Sequence, residues 1–142
     1  MATYRIVVGV DGSEGSDAAL DWALHEADLC AGTIRLVHGW AFVASTMDPS
    51  GIALAECEKA GEQILRDAAA YAAKAYPKVA VTTDLRATSP AEALIDASHE
   101  ADLLVVGTRG RGGFAGLLLG SVSQQVVHYA TSPVAVIPTP KK

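Results

Sequence analysis

The chain has 142 residues and a mass of 14.7 kDa, the size of one domain, which buries about 70% of its unfolded surface and needs neither disulfides nor a structural metal for its core. Half the residues are apolar and 19% are charged, which excludes a disordered tail-like protein, and no apolar run approaches the ~20 residues of a membrane span. A net charge of −5 argues against a general binder of nucleic acid or anionic membrane, and Cys30 and Cys57 have no metal or redox spacing and suit a reducing cytoplasm.

Met1 to Arg5 lead into a short apolar run that meets Asp11 at once, so no signal-peptide pattern is present. Tyr4–Val10 is apolar and β-rich, the pattern of a strand covered on both faces. Ser13 then caps a helix to about Ala31, with Leu20, Ala23, Leu24 and Ala27 on its apolar side. Thr33–Trp40 reads as a second strand and Ala41–Gly51 as a long loop. A long helix follows to about Ala75, with Leu54, Cys57, Gly61, Ile64, Leu65, Ala68 and Ala72 at helical spacing. Pro77 ends it, and Val79–Leu85 supplies a third strand. Ser89-Pro90-Ala91-Glu92 is a capping box that opens a helix to about Glu100. Leu103–Gly107 is a fourth strand and Thr108–Leu119 a glycine-rich loop. Ser121–Ala130 is the last helix and Pro133–Ile137 a fifth strand, stopped by Pro138 and Pro140. Five strands alternating with four helices predict one α/β domain over residues 1–142, a parallel sheet with helices on both faces.

In such sheets ligands bind beyond the carboxyl ends of the strands, where strand order reverses. Two strand ends are specialised: Gly9-Val10-Asp11-Gly12-Ser13 and Gly107-Thr108-Arg109-Gly110. If these strands are neighbours, in the order 3-2-1-4-5, both open onto one crevice. Asp11 then accepts from ribose hydroxyls or helps hold a phosphate-bound metal; the alternative is a turn or cap residue. Gly107, Gly110, Gly112, Gly113, Gly116 and Gly120 crowd ahead of Ser121-Val122-Ser123 at a helix start. Small residues and free helix N–H groups make an anion seat, with Ser121 and Ser123 as extra donors and Arg109 as a clamp. The charge distribution agrees, because Asp102 is the last acidic residue: residues 1–102 carry a net −9 and residues 103–142 a net +4. There is no Gly-Lys dipeptide, so the GxxxxGK[ST] loop is absent. Gly110-Arg111-Gly112-Gly113-Phe114-Ala115 matches the looser GxGxxA pattern, but too late in the chain and with no acidic residue after it.

Gly107-x-x-Gly110, nine residues, then Gly120-Ser121 resembles the signature G-2x-G-9x-G-[ST] of the ATP-binding universal stress proteins. Val10-Asp11-Gly12-Ser13, Ser89-Pro90-Ala91-Glu92-Ala93 and Ser132-Pro133-Val134-Ala135-Val136 also resemble that family, in the same order along essentially the whole chain. The resemblance implies a Rossmann-like sheet of order 3-2-1-4-5 that binds ATP, or AMP or cyclic AMP, with Mg2+ or Mn2+ accompanying the nucleotide, in a homodimer. It implies Asp11 at the ribose, Gly107, Arg109 and Gly110 at ribose and phosphates, and Gly120, Ser121, Val122 and Ser123 as the phosphate seat. Val10 and Val106 match contacts near the nucleoside. Two positions depart: Gly39 follows His38 where the adenine shelf is usually apolar, and Thr88 stands where many relatives have a glycine.

No nucleophile is arranged with a base. His25, His38, His99 and His128 are scattered and read as structural or solvated, and the serines lie in no GxSxG elbow. Trp22, Trp40 and Phe114 read as packing residues. The favoured reading is a cytoplasmic, nucleotide-binding stress-response regulator with at most slow hydrolysis. The alternatives are a scaffold of the same fold that has lost the nucleotide, or a flavodoxin-like enzyme using Asp11. The last strand, Val134–Ile137, should be a sheet edge covered by a second copy.

Overall fold

The structure, a computed structural model, describes residues 3–41, 50–108 and 119–140. Along these run β1 (Arg5–Gly9), α1 (Glu14–Cys30), β2 (Thr33–Gly39), α2 (Ile52–Ala75), β3 (Ala80–Arg86), α3 (Pro90–Ser98), β4 (Leu103–Gly107), α4 (Ser121–Tyr129) and β5 (Val134–Ile137). Each element matches its sequence expectation to within one or two residues except at helix ends, which fray. All strand pairs are parallel and the sheet has the order β3-β2-β1-β4-β5.

Alternate side chains along the central strands go to opposite faces, as the two-residue period requires. Ile6, Val8, Ile34, Leu36 and Val105 point to the side of α1 and α2, where Leu20, Leu24 and Leu65 meet them. Val7, Val37, Leu104 and Val106 point the other way and pack with Leu94 of α3 and Val126 of α4. Strands buried on both faces have no polar side to show, which is why β1 and β4 read as unbroken apolar runs.

The edge strand β3 is different on its α3 side. Asp84 pairs there with Arg35 of β2 and with Arg86, which lies 2.9 Å away. Arg35 also reaches Glu100, and Arg86 reaches Asp96 of α3, each at 3.3 Å. A charged fringe thus takes the place of a helix over this part of the sheet.

Local signals set the helix starts. Ser13 accepts from Ser16 N at 3.2 Å, and Ser89 accepts from Glu92 N at 3.2 Å, each satisfying a first-turn amide. Among the described residues no helix is long and apolar enough to cross a membrane.

Candidate functional site

The strand order puts the ends of β2, β1 and β4 side by side. Val8 stands opposite Val105, and Val10 N donates to Val37 O at 3.0 Å, so the carboxyl ends of all three strands open at one edge of the sheet. On this edge order reverses, with β2 and β3 leading one way from β1 and β4 and β5 the other.

The turn after β1 is closed by Asp11. Its Oδ1 accepts from Ser13 N at 2.9 Å and from Ser13 Oγ at 2.5 Å, while Asp11 N donates to Ser16 Oγ at 3.2 Å. Gly12 has φ 81°, in the left-handed region where glycine carries no Cβ penalty. Asp11 is therefore a turn-former in this structure, the alternative left open by the sequence. Ser16, buried in the first turn of α1, is its partner and was not foreseen; the i, i+3 spacing of Ser13 and Ser16 is the signal that would have found it.

Gly107 lies under this turn. A Cβ there would stand 2.6 Å from Gly15 O, so only glycine lets the end of β4 pass beneath the first turn of α1. The next residue, Thr108, fixes α4. Its carbonyl accepts from Gly120 N at 2.6 Å and from Ser123 Oγ at 2.8 Å, while its own N–H donates to Ile137 O at 3.0 Å. Asp11, Gly107 and the start of α4 are thus brought to one crevice. Thr108 carries no side-chain signal for this role, because it acts through its backbone.

Ser123 departs from its expected place as an extra hydroxyl donor. It is buried, and its hydroxyl sits 2.8 Å from Thr108 O and 3.1 Å from Gly120 O. A hydroxyl has one hydrogen, and this one is spent inside the fold. What Ser121, Val122 and Ser123 bring to the mouth of α4 is their amides, which have no acceptor among the described residues, as expected of a first helical turn.

Charge separates the two helix starts that flank the crevice. The first turn of α1 carries Glu14 and Asp17 on top of Asp11, whereas that of α4 carries no acidic residue. The Asp17 carboxyl is pushed above its ordinary pKa, first by burial and then by Asp11, Glu14 and Asp21. An anion is repelled at the mouth of α1 and attracted at that of α4, where the helix dipole is uncompensated.

On the β2 side, His38 Nδ1 lies 2.7 Å from Val10 O. Both backbone polar groups of Val10 are thereby satisfied within the fold, and Val10 presents an apolar surface. Gly39 is buried, and a Cβ on it would stand 2.7 Å from Ser89 O and 2.8 Å from Thr88 O. Trp40 N and Ala41 N donate to Arg86 O and Thr88 O, each at 3.1 Å. The expected apolar shelf is replaced at this position by the turn between β3 and α3, packed backbone to backbone. Val106 is buried against the α3 and α4 side.

Arg109 and Gly110, and with them Arg111, Gly112, Gly113, Phe114 and Gly116, lie outside the described residues. The histidines hold structural or surface positions: His99 Nδ1 is 2.9 Å from Thr131 Oγ1, and His128 stacks edge-on against Tyr129. Among the described residues no group of three His, Cys, Asp or Glu side chains could hold a metal ion.

Comparison with known proteins agrees with this fold. The family model described as the universal stress protein family matches residues 3–138. The universal stress protein Rv2623 of Mycobacterium tuberculosis is 40% identical over 131 residues, covering 92% of this chain and 44% of that protein; the chain thus spans about half the length of this curated relative. Among solved structures, a universal stress protein in complex with cAMP has a TM-score of 0.72 at 30% identity, covering 99% of this chain and 100% of that one. The Archaeoglobus fulgidus universal stress protein in complex with dAMP has a TM-score of 0.71 at 25% identity, covering 96% and 99%. The strand order, the glycine-lined crevice and these matches over nearly the whole chain lead to one conclusion: the chain belongs to the universal stress protein family.

Proposed function

We propose that this chain is a single nucleotide-binding domain, a cytoplasmic stress-response regulator that takes ATP, or AMP or cyclic AMP, in the crevice between β1 and β4. The observation that carries the reading is the α4 start: an acid-free first turn whose amides have no acceptor among the described residues, held to the end of β4 through the Thr108 carbonyl. The phosphates lie against Gly120, whose own N–H is held by the Thr108 carbonyl, and on the amides of Ser121, Val122 and Ser123, with Arg109 and Gly110 closing over them. The ribose lies toward Asp11, and the base rests on Val10, Val106 and the Gly39 backbone. Mg2+ or Mn2+ arrives with the phosphates. The solved relatives in complex with cAMP and dAMP support an adenine nucleotide as the ligand class. The protein acts by changing partner choice when loaded, with at most slow hydrolysis. It works as a homodimer paired through Val134–Ile137 at the open edge of the sheet.

A second reading, a scaffold without nucleotide, draws on Asp11 and Ser123 both making hydrogen bonds inside the fold. Titration calorimetry with ATP, AMP and cyclic AMP, with and without Mg2+, separates the two. Binding is expected, and Gly120→Val should weaken it by more than about tenfold through steric loss of the amide cradle. Gly120 has φ −79° and ψ 175°, extended backbone that valine adopts readily, so circular dichroism should show an intact fold. Absence of binding by every nucleotide, or unchanged affinity in Gly120→Val, refutes the site.

A further inference from the structure

Between α1 and α2 lies a groove of about 760 Å³ that reaches Val10 and Gly12 at the end of β1 and includes no residue of the α4 mouth. Its floor is apolar, made by Leu20, Ile64 and Ala68, and its rim carries Asp17 and Asp21 on one wall and Asp67 on the other. Asp17 and Asp21 are four residues apart on one helix, which sets their Cβ atoms about 5–6 Å from each other along the rim. Asp21 also accepts from the Tyr71 hydroxyl, which ties the two walls together, and Asp67 accepts from Gln63 Nε2 at 2.7 Å. Among the described residues lining the groove none is basic.

We propose that this groove docks a short extended segment of a partner protein in which Lys or Arg alternates with an apolar residue. In extended chain, side chains two residues apart share a face and stand about 6.5–7 Å apart, close to the spacing of the rim carboxylates. The intervening side chain points the opposite way, into the floor over Leu20, Ile64 and Ala68. Lys and Arg have stems long enough to lie along an apolar wall while their charged heads reach the rim. Burial first, and then the charges of Asp11, Glu14 and Asp21, push the Asp17 carboxyl upward, and a docked cation relieves the charge part of that shift. An acidic segment meets that repulsion, and a purely polar one leaves the floor wet.

The test is calorimetric titration of the protein, without nucleotide, with acetyl-Lys-Leu-Lys-Leu-Lys-amide, together with the Glu-Leu and Lys-Ser counterparts. Only the Lys-Leu peptide should bind, with amide shifts in the NMR spectrum centred on α1 and α2. The double variant Asp17→Asn with Asp67→Asn should bind it about tenfold more weakly, since two rim charge pairs are lost. Both positions lie on the groove rim, outside the apolar core, and unchanged circular dichroism confirms the fold of the variant. Equal affinity in the variant overturns the proposal, as does equal binding of the Lys-Ser peptide, which would mean attraction to negative charge alone. Binding that appears only after removal of Lys141 and Lys142 also overturns it, by assigning the groove to the chain's own end.

Discussion

Gly107 shows how one missing Cβ positions a site. The atom a Cβ would strike, Gly15 O at 2.6 Å, belongs to helical backbone and cannot rotate aside. Gly107→Ala should lower stability by about 1–3 kcal/mol, read as a reduced urea midpoint at unchanged slope. Tyr71 supplies a test of the tether between α1 and α2. Its hydroxyl is pushed from 10.0 up to about 12, first by its hydrogen bond to Asp21, then by burial and by the Asp21 charge. A raised folded pKa means that the contribution is complete below pH 10 and is lost as pH rises toward about 12. Tyr71→Phe should thus cost about 0.5 kcal/mol at neutral pH, small because the side chain is half exposed, and this difference should vanish in the alkaline range. Absorbance titration should lose its step at about 12 in the same variant.

At the scale of elements, the helix starts were open to reading because their chemistry is local. Ser89 accepts from an amide three residues ahead, Pro90 needs no donor partner, and nothing distant is involved. Ser89→Ala should therefore cost about 1 kcal/mol, visible as a lower melting temperature, since an orphan amide of α3 loses its acceptor. The central strands β1 and β4 were legible for a related reason, as short apolar runs ending in glycine. The bonding around the candidate site was not. Asp11 was open between ribose ligand and turn residue, and only the Ser13 contact distances identify the turn. Ser123 sits beside Ser121 in sequence, yet one hydroxyl is buried on the Thr108 carbonyl while its neighbour is exposed. Gly39 looked like a lost shelf, and its reason is the β3–α3 turn lying 2.7 Å from where its Cβ would stand. For Ser123 and Gly39 the deciding partner comes from a distant connection, whereas Asp11 is decided by Ser13 within its own turn.

At the scale of the molecule, the sheet ends at β5, whose four residues are all half-buried. The carbonyls of Pro133 and Ile137 turn inward to Leu104 N and Thr108 N, so the backbone of Val134 and Val136 faces outward by alternation. Our reading of this edge as the dimer seam predicts a dimer in sedimentation velocity. Val136→Pro, which removes an outward N–H, should shift it to monomer; a parent chain that sediments as a monomer at all concentrations refutes the seam. The alternation of strands and helices, the helix caps and the glycine-rich approach to α4 were all determined by amino-acid order alone, because each depends on neighbours within a few residues. Which strands lie side by side, which of two serines faces inward and why Gly39 and Gly107 must lack side chains were decided only on folding, since those outcomes depend on atoms that the chain brings together from afar.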